Sequence, residues 1–408
     1  MKISLISTNG GINLDDPKYA TFTEEEKQAD ILRQLILYCG RVARKCYSPL
    51  SWEEICAQSE DKAFERAKAC LENKHHSIYD HAELTFSMSE IPKFMLMILN
   101  NEYCYTTSEQ SARYTDFSKA GKTEKERELY TKWSGKIKAA ILDYYGDKFT
   151  EAEAQKLAQE NARYMISTFV ETSIIHKLSL RQLNYELYYM EEFLKRDFSD
   201  CNGRMKKFVN MLKPYLEEFI QKMSPYKIEG LVPKSPRELA IFKNIHSQID
   251  DIYDTTYKLS YTMSFAAFAQ NQRHRTIRYN ISLLGDKRQE SAFYVPDIVE
   301  IYDMEREWLD DIFSVEDVFP QGMLIAVVET GEISDFISKC YERCCGRAQL
   351  EIQEVTNSNL DNFREYGTDA ALKIIEKYIG EGSAACTFPC HKCTEGCKFG
   401  AKQRERYI

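Results

Sequence analysis

Gln270-Asn271-Gln272-Arg273-His274-Arg275, with Asn280 following, and Glu109-Gln110-Ser111-Ala112-Arg113-Tyr114 read as two pieces of one anion-binding pattern. Each half of the chain carries only the piece the other lacks. Joined, they describe one site for a phosphorylated ligand. Split, they predict a duplicated unit whose copies have specialised, with a working site only where both contribute. Arginine suits this task because it presents a planar donor fork matched to phosphate and stays charged. Gln270 and Asn280 add amides able to read a heterocycle. Ser111, the small Ala112 and Arg113 suit a phosphate nest. A bare Arg-His-Arg or Ser-x-Arg is more often a solvated polar turn, so the complementary pairing carries the reading.

The two pieces sit in matching contexts. His81–Met88 alternates apolar and polar residues, which predicts a strand leading toward Asn101–Tyr114. Tyr257–Phe265 is a strand-like run leading into Gln270–Asn280, so the order of elements recurs. Met1–Ser7 predicts a first strand, being too short and polar for a signal peptide. Apolar spacing predicts helices over 29–46 and 51–73, and an almost wholly helical stretch over 123–220, bent or ended at Pro214. Prolines 225, 233 and 236 mark a linker. The expected organisation is helix-rich with a few strands: a first unit over 1–228, a second over 229–380, and a Cys-rich tail over 381–408.

At 408 residues the chain has room for two cores, and 43% hydrophobic with 29% charged residues is a soluble globular composition. A net charge of −9, from 54 basic and 63 acidic residues, argues against bulk capture of nucleic acid or anionic membrane. Arginines must therefore be concentrated locally, as Arg273, Arg275 and Arg278 are. No apolar run approaches the roughly 20 residues that span a bilayer. Thirteen cysteines, an odd number without a framework pattern, point to a reducing cytoplasm.

Four of those cysteines, Cys386, Cys390, Cys393 and Cys397, follow a Cys-x₃-Cys-x₂-Cys-x₃-Cys spacing that suits zinc or, less often, an iron–sulfur cluster. Lys392, Lys398 and Lys402 would offset a tetrathiolate. The competing reading is a loose tail with reactive thiols. His75, His76 and His81 lack the one-face helical spacing of a metal pair, and a loop binding a polar cofactor is preferred there. No P-loop, no G-x-G-x-x-G and no nucleophile with supporting context occurs.

Taken in order, these fragments resemble the flavin-dependent thymidylate synthase family. Arg41–Pro49 resembles its early helix and Cys-Tyr-Ser. His75–Phe86 resembles its His-x-Ser-x-x-Glu-His…Thr-Phe segment, with Asp80 for Glu. Glu109–Tyr114 resembles the end of its long signature, and Asn161-Ala162-Arg163 its later phosphate-binding Ala-Arg. In the second half, Arg273-His274-Arg275 and Asn280 resemble the start of the signature, and Arg343–Ile352 the closing Arg-x-x-x-His-Ala-Gln-x-Glu-Ile. The departures are complementary. Asn101-Glu102-Tyr103 stands where the first half should carry Arg-His-Arg. The second half lacks Ser-x-Arg-Tyr, has Glu316 for the Ala-Arg arginine, and has Arg347 for histidine.

The resemblance implies an α+β fold of two tandem units of that family, fused, each a mostly antiparallel sheet packed with long helices, and methylation of dUMP to dTMP with FAD, NADPH and methylenetetrahydrofolate. It assigns dUMP to Glu109, Ser111, Ala112, Arg113, Arg163, Gln270, Arg273 and Arg343, with Arg343 catalytic. It assigns FAD to Ser48, His75, Ser77, Asp80, Arg273, His274, Arg275, Asn280 and Arg347. It also implies a homodimer equivalent to a four-lobed assembly. Two rival readings are a related flavoenzyme modifying another uracil nucleotide and a non-enzymatic regulator with the same fold.

Overall fold

The computed structural model describes every residue except 47, 112–114, 200, 236, 244–249, 286–291, 394–395 and 403–404. The strands are β1 (Lys2–Thr8), β2 (Glu83–Pro92), β3 (Tyr105–Glu109), β4 (Glu171–Ser179), β5 (Thr256–Ser264), β6 (Arg278–Leu283) and β7 (Leu324–Glu332). The helices before the proline-rich stretch are α1 (Glu24–Lys45), α2 (Trp52–Cys56), α3 (Glu60–Glu72), α4 (Lys93–Leu99), α5 (Glu124–Tyr145), α6 (Glu151–Ala162), α7 (Leu180–Lys195) and α8 (Gly203–Met223). Those after it are α9 (Phe265–Asn271), α10 (Asp297–Ile301), α11 (Glu305–Phe313), α12 (Ile333–Arg343), α13 (Leu350–Tyr366) and α14 (Asp369–Tyr378). The fold is α+β, rich in helix, with antiparallel sheets.

The chain forms two compact units that do not follow its order. The first holds Met1–Gln110, Glu171–Asp200 and Val209–Leu239; the second holds Ser111–Val170, Cys201–Phe208 and Ala240–Ile408. Residues 111–170 thus pack with later sequence.

The first unit is built on a sheet of order β1-β2-β4-β3. Leu84, Phe86 and Met88 alternate inward along β2, the period of two that a half-buried strand demands. Apolar on every face after its first residue, Lys93, α4 is buried along its whole length. The start of α1 is fixed by a reciprocal capping box between Thr23 and Glu26. α1 and α3 approach so closely that a Cβ on Gly40 would lie 1.9 Å from the Ala63 carbonyl oxygen.

The second unit has a sheet of order β5-β7-β6, covered by an apolar cluster that includes Tyr257, Leu259, Phe336, Cys340 and Phe363. One ion pair is enclosed there. Lys339 Nζ donates to Glu329 at 2.6 Å, Tyr257 donates to the same carboxylate at 2.7 Å, and Tyr261 donates as well.

Both sheets share one connectivity. Two strands flank a third that comes later in sequence and lies between them. In each, a seven-residue buried helix, α4 or α9, follows the first of those strands. The central strand then runs into a helix, α7 or α12.

Several expectations are corrected. The helix over 51–73 is two helices, because Ser51 and Ser59 each start one. The helical stretch over 123–220 is interrupted by β4, which pairs with both β2 and β3; its β-branched Thr172, Ile174 and Ile175 favour that state. Pro214 does not end α8, which continues to Met223. Phe265 opens α9 rather than closing β5, since Ser264 caps the helix. The stretch over 381–408 is not loose throughout: Ala384, Ala385, Phe388, Phe399, Arg406 and Ile408 are buried.

Candidate functional site

The helical hairpin of α5 and α6 delivers Arg163, which caps the C-terminus of α6. The chain then turns through Arg163–Met165, and Ser167 N–H donates to the buried Glu126 carboxylate at 2.8 Å, fixing the turn to the start of α5. Arg163 is only 4% exposed. Its Nη2 donates to Gln349 Oε1, and Gln270 Nε2 donates to the same oxygen. Gln349 Nε2 donates in turn to Tyr164 Oη, which donates to Glu351 at 2.7 Å. Ser264 donates to Glu351 through its N–H and its hydroxyl, both at 2.6 Å. Arg163 from the first half of the sequence therefore meets Gln270, Gln349 and Glu351 from the second half inside one compact unit.

The electrostatics of this cluster are unbalanced. Arg163 Nε has no hydrogen-bond partner. Among the described residues no carboxylate lies within ion-pair distance of its guanidinium; its direct side-chain partner is a neutral amide. Burial raises the Glu351 carboxyl pKa, against the pull of Ser264, Tyr164 and Arg163. An enclosed cation with no carboxylate in direct contact keeps part of its desolvation cost. An entering anion would offset that cost.

Beside this cluster, Arg343 at the end of α12 donates from Nε to His274 Nε2 at 2.9 Å and from Nη2 to the Gln270 carbonyl at 3.2 Å. Burial first, then Arg343 and Lys339, push His274 down to about 2. His274 is thus a neutral acceptor that orients Arg343. Arg273 and Arg275 on the same turn are exposed.

The other predicted residues fall as follows. Glu109 ends β3 and its carboxylate is paired with Lys93, both largely enclosed. Ser111 follows in coil, and its carbonyl accepts from the Thr115 hydroxyl at 3.0 Å. Ala112 and Arg113 lie outside the described residues. Asp80 accepts from Ser179 at 2.9 Å and pairs with Arg181 at 2.6 Å. His75 and Ser77 are exposed, and Ser48 accepts from Leu50 N–H at 3.3 Å. Asn280 donates to the Ala240 carbonyl at 2.6 Å, and Arg347 is exposed.

In the cysteine-rich stretch, Cys390 Sγ donates to the Lys377 carbonyl at 3.3 Å. Burial raises Cys386, and its thiol neighbours include Cys397, Cys393 and Cys345. Among the described residues no three His, Cys, Asp or Glu side chains are gathered so as to hold a metal ion.

Sequence reasoning gave no role to Tyr164, Ser264, Gln349 or Glu351. The available signal was the Gln-x-Glu pair at 349 and 351, whose polar side chains open an otherwise core-facing helix.

Residues 35–188 match the family described as "Thymidylate synthase complementing protein". Among curated proteins, the chain is 29% identical over 160 residues to a flavin-dependent thymidylate synthase of Pyrococcus furiosus, covering 37% of this chain and 60% of that one. It is 27% identical over 148 residues to the Pyrococcus abyssi enzyme of the same name, covering 33% and 59%. It is 26% identical over 161 residues to that of Clostridium tetani, covering 35% and 64%. The chain thus spans about three fifths of the length of the curated relatives it matches. A solved thymidylate synthase X from Helicobacter pylori, with FAD and dUMP, aligns at 11% identity over 56% of this chain and 95% of that one. Its TM-score is 0.29, too faint to carry an argument.

Proposed function

We propose that this chain, related to the flavin-dependent thymidylate synthases over residues 35–188, carries out the reductive methylation of dUMP to dTMP. The observation that supports this best is the enclosed Arg163, with no described carboxylate in contact, held by Gln349 beside Gln270. In this reading Arg163 receives the nucleotide phosphate, helped by Ser111, Ala112 and Arg113. Gln270 lines the nucleotide pocket with Arg273. Arg343, oriented by neutral His274, stabilises charge developing on the uracil ring.

The residues present fit FAD in one testable respect. Arg273 is an exposed guanidinium without a described side-chain partner, suited to a diphosphate. With it, His274, Arg275, Asn280 and Arg347 would hold the flavin. When bound, FAD supplies the transfer chemistry, with NADPH as reductant and methylenetetrahydrofolate as carbon donor. The chain's own contribution is to hold the nucleotide in reacting geometry and to keep Arg343 charged and aimed. We further propose two fused family units over 1–228 and 229–380, one nucleotide and one FAD per chain, a homodimer in the cytoplasm, and a zinc ion on Cys386, Cys390, Cys393 and Cys397. The recurring strand connectivity supports the fusion.

The test begins with the visible spectrum of native protein, followed by calorimetric titration and turnover with dUMP and with other uridylates. A colourless protein that binds no uridylate would overturn the reading. Turnover of a different uridylate, with none of dUMP, would transfer it to the related-flavoenzyme class.

A further inference from the structure

The segment after the cysteines is bound to both elements that hold the Arg163 cluster. On the α5–α6 side, Phe399 packs against Tyr145 and Phe149, with ring centroids 5.9 and 6.0 Å away. Lys148 Nζ lies 4.1 Å from the Phe399 ring centroid, and Lys398 pairs with Glu153 at 3.2 Å. Tyr407 N–H donates to the Tyr145 hydroxyl at 2.9 Å. On the α13 side, the buried Arg406 donates from Nη1 to Gln353 at 3.0 Å. Gln353 lies four residues after Gln349, hence on the same side of the helix start. Arg406 also feels the charges of Glu160 on α6 and Glu354 on α13.

The cysteine-bearing stretch that leads into this segment is itself fastened at the loop separating Arg343 from Gln349. Ala385 N–H donates to the Cys344 carbonyl at 2.6 Å. Cys397 Sγ lies 2.8 Å from where a Cβ on Gly346 would sit.

We propose that Arg406, with Phe399 and Tyr407, forms a strap that sets the spacing between Arg163 and Gln349, and that Arg406 is a positioning residue for the anion site. The strap holds the hairpin ending in Arg163 against the helix beginning at Gln349, so the guanidinium waits in receiving geometry. The ligand chemistry invoked rests on the proposed nucleotide reading; the mechanical coupling does not.

The test compares the full chain with Arg406→Ala, Arg406→Lys, Gln353→Ala and a chain ending at Lys402. Measurements are dUMP affinity, KM, kcat, flavin content and amide exchange at 163–168 and 349–353. The strap predicts faster exchange in both stretches for every variant except Arg406→Lys. It also predicts a rise of about tenfold in dUMP Kd and KM, with kcat and flavin content little changed. Gln353→Ala should shift both readouts in the same direction but less than Arg406→Ala, and adding it to Arg406→Ala should change little. In an Arg163→Ala background the Kd effect should vanish. Faster exchange in a protein that binds no dUMP would uphold the strap and sink the nucleotide reading. Unchanged exchange and Kd in folded variants would overturn the strap, as would an equal Kd penalty in the Arg163→Ala background.

Discussion

Arg163→Met separates a binding role from a structural one. In the free protein the substitution removes one hydrogen bond, from Nη2 to Gln349 Oε1. That oxygen is not orphaned, because Gln270 Nε2 still donates to it, so the loss is about 1 kcal/mol. Against it stands relief of an enclosed cation with an unpartnered Nε and no described carboxylate in contact, a desolvation cost of several kcal/mol. Stability of the free protein should therefore hold or rise. Binding should move the other way. One charge-assisted bond to phosphate is worth about 1.5–3 kcal/mol, which is roughly a 10- to 150-fold weaker dUMP affinity. Urea denaturation of ligand-free protein and calorimetric titration with dUMP measure the two effects. Retained affinity together with a loss of more than about 3 kcal/mol of stability would refute the assignment and make Arg163 a structural residue.

Other outcomes follow from the same geometry. His274 is held neutral by burial and its cationic neighbours, at about 2, so below the unfolded value near 6.5 the unfolded chain binds the extra proton. Its contribution is full above that pH and is lost as pH falls, so the wild type should lose up to about 2 kcal/mol more than His274→Gln between pH 6.5 and 5; equal losses in urea titrations would contradict the shift. Glu329→Gln or Lys339→Met alone should cost about 3–5 kcal/mol, and the double substitution less than either, because only the single changes leave a buried partner uncompensated; additive thermal-melt losses would argue otherwise. Protein purified without chelators should carry about one zinc per chain, with loss on truncation before Cys386; metal analysis finding neither zinc nor iron would leave the segment held by packing alone. Flavin absorbance against protein concentration, with light scattering for mass, should give one FAD per chain and a dimer; two tightly bound flavins per chain would refute the complementary-loss argument.

What was legible in the sequence was local. Alternation in His81–Met88 announced β2, because a period of two is written directly into the residues, and the strand-like run Tyr257–Phe265 announced β5. The convergence of Arg163, Gln270 and Arg343 was legible only through resemblance to known motifs. The compact units were not legible at all. Residues 111–170 pack with sequence far beyond them, and no local propensity records a partner so distant. β4 was hidden for a related reason: its stability comes from pairing on both edges, while its neighbours on each side are strongly helical. Tyr164 and Ser264 escaped notice because each becomes polar machinery only through Glu351.

The first unit offers a physical account of why two similar connectivities need not give two similar sites. Glu102 stands where the resemblance leads one to expect the histidine of Arg-His-Arg, and its side chain is fully enclosed. Arg237, from the proline-rich stretch, supplies its countercharge through two donors and lies 3.8 Å from the Tyr189 ring centroid. A carboxylate in that place repels a phosphate, and the arginine beside it is already neutralised. Lys93 and Glu109 cancel in the same way nearby in sequence. In the second unit the corresponding turn leaves Arg273 exposed, and Arg163 elsewhere in that unit is enclosed without a described carboxylate in contact. At these positions the contrast is one of charge balance rather than of backbone: Glu102 and Glu109 are each paired with a cation, while Arg163 has no described carboxylate in contact.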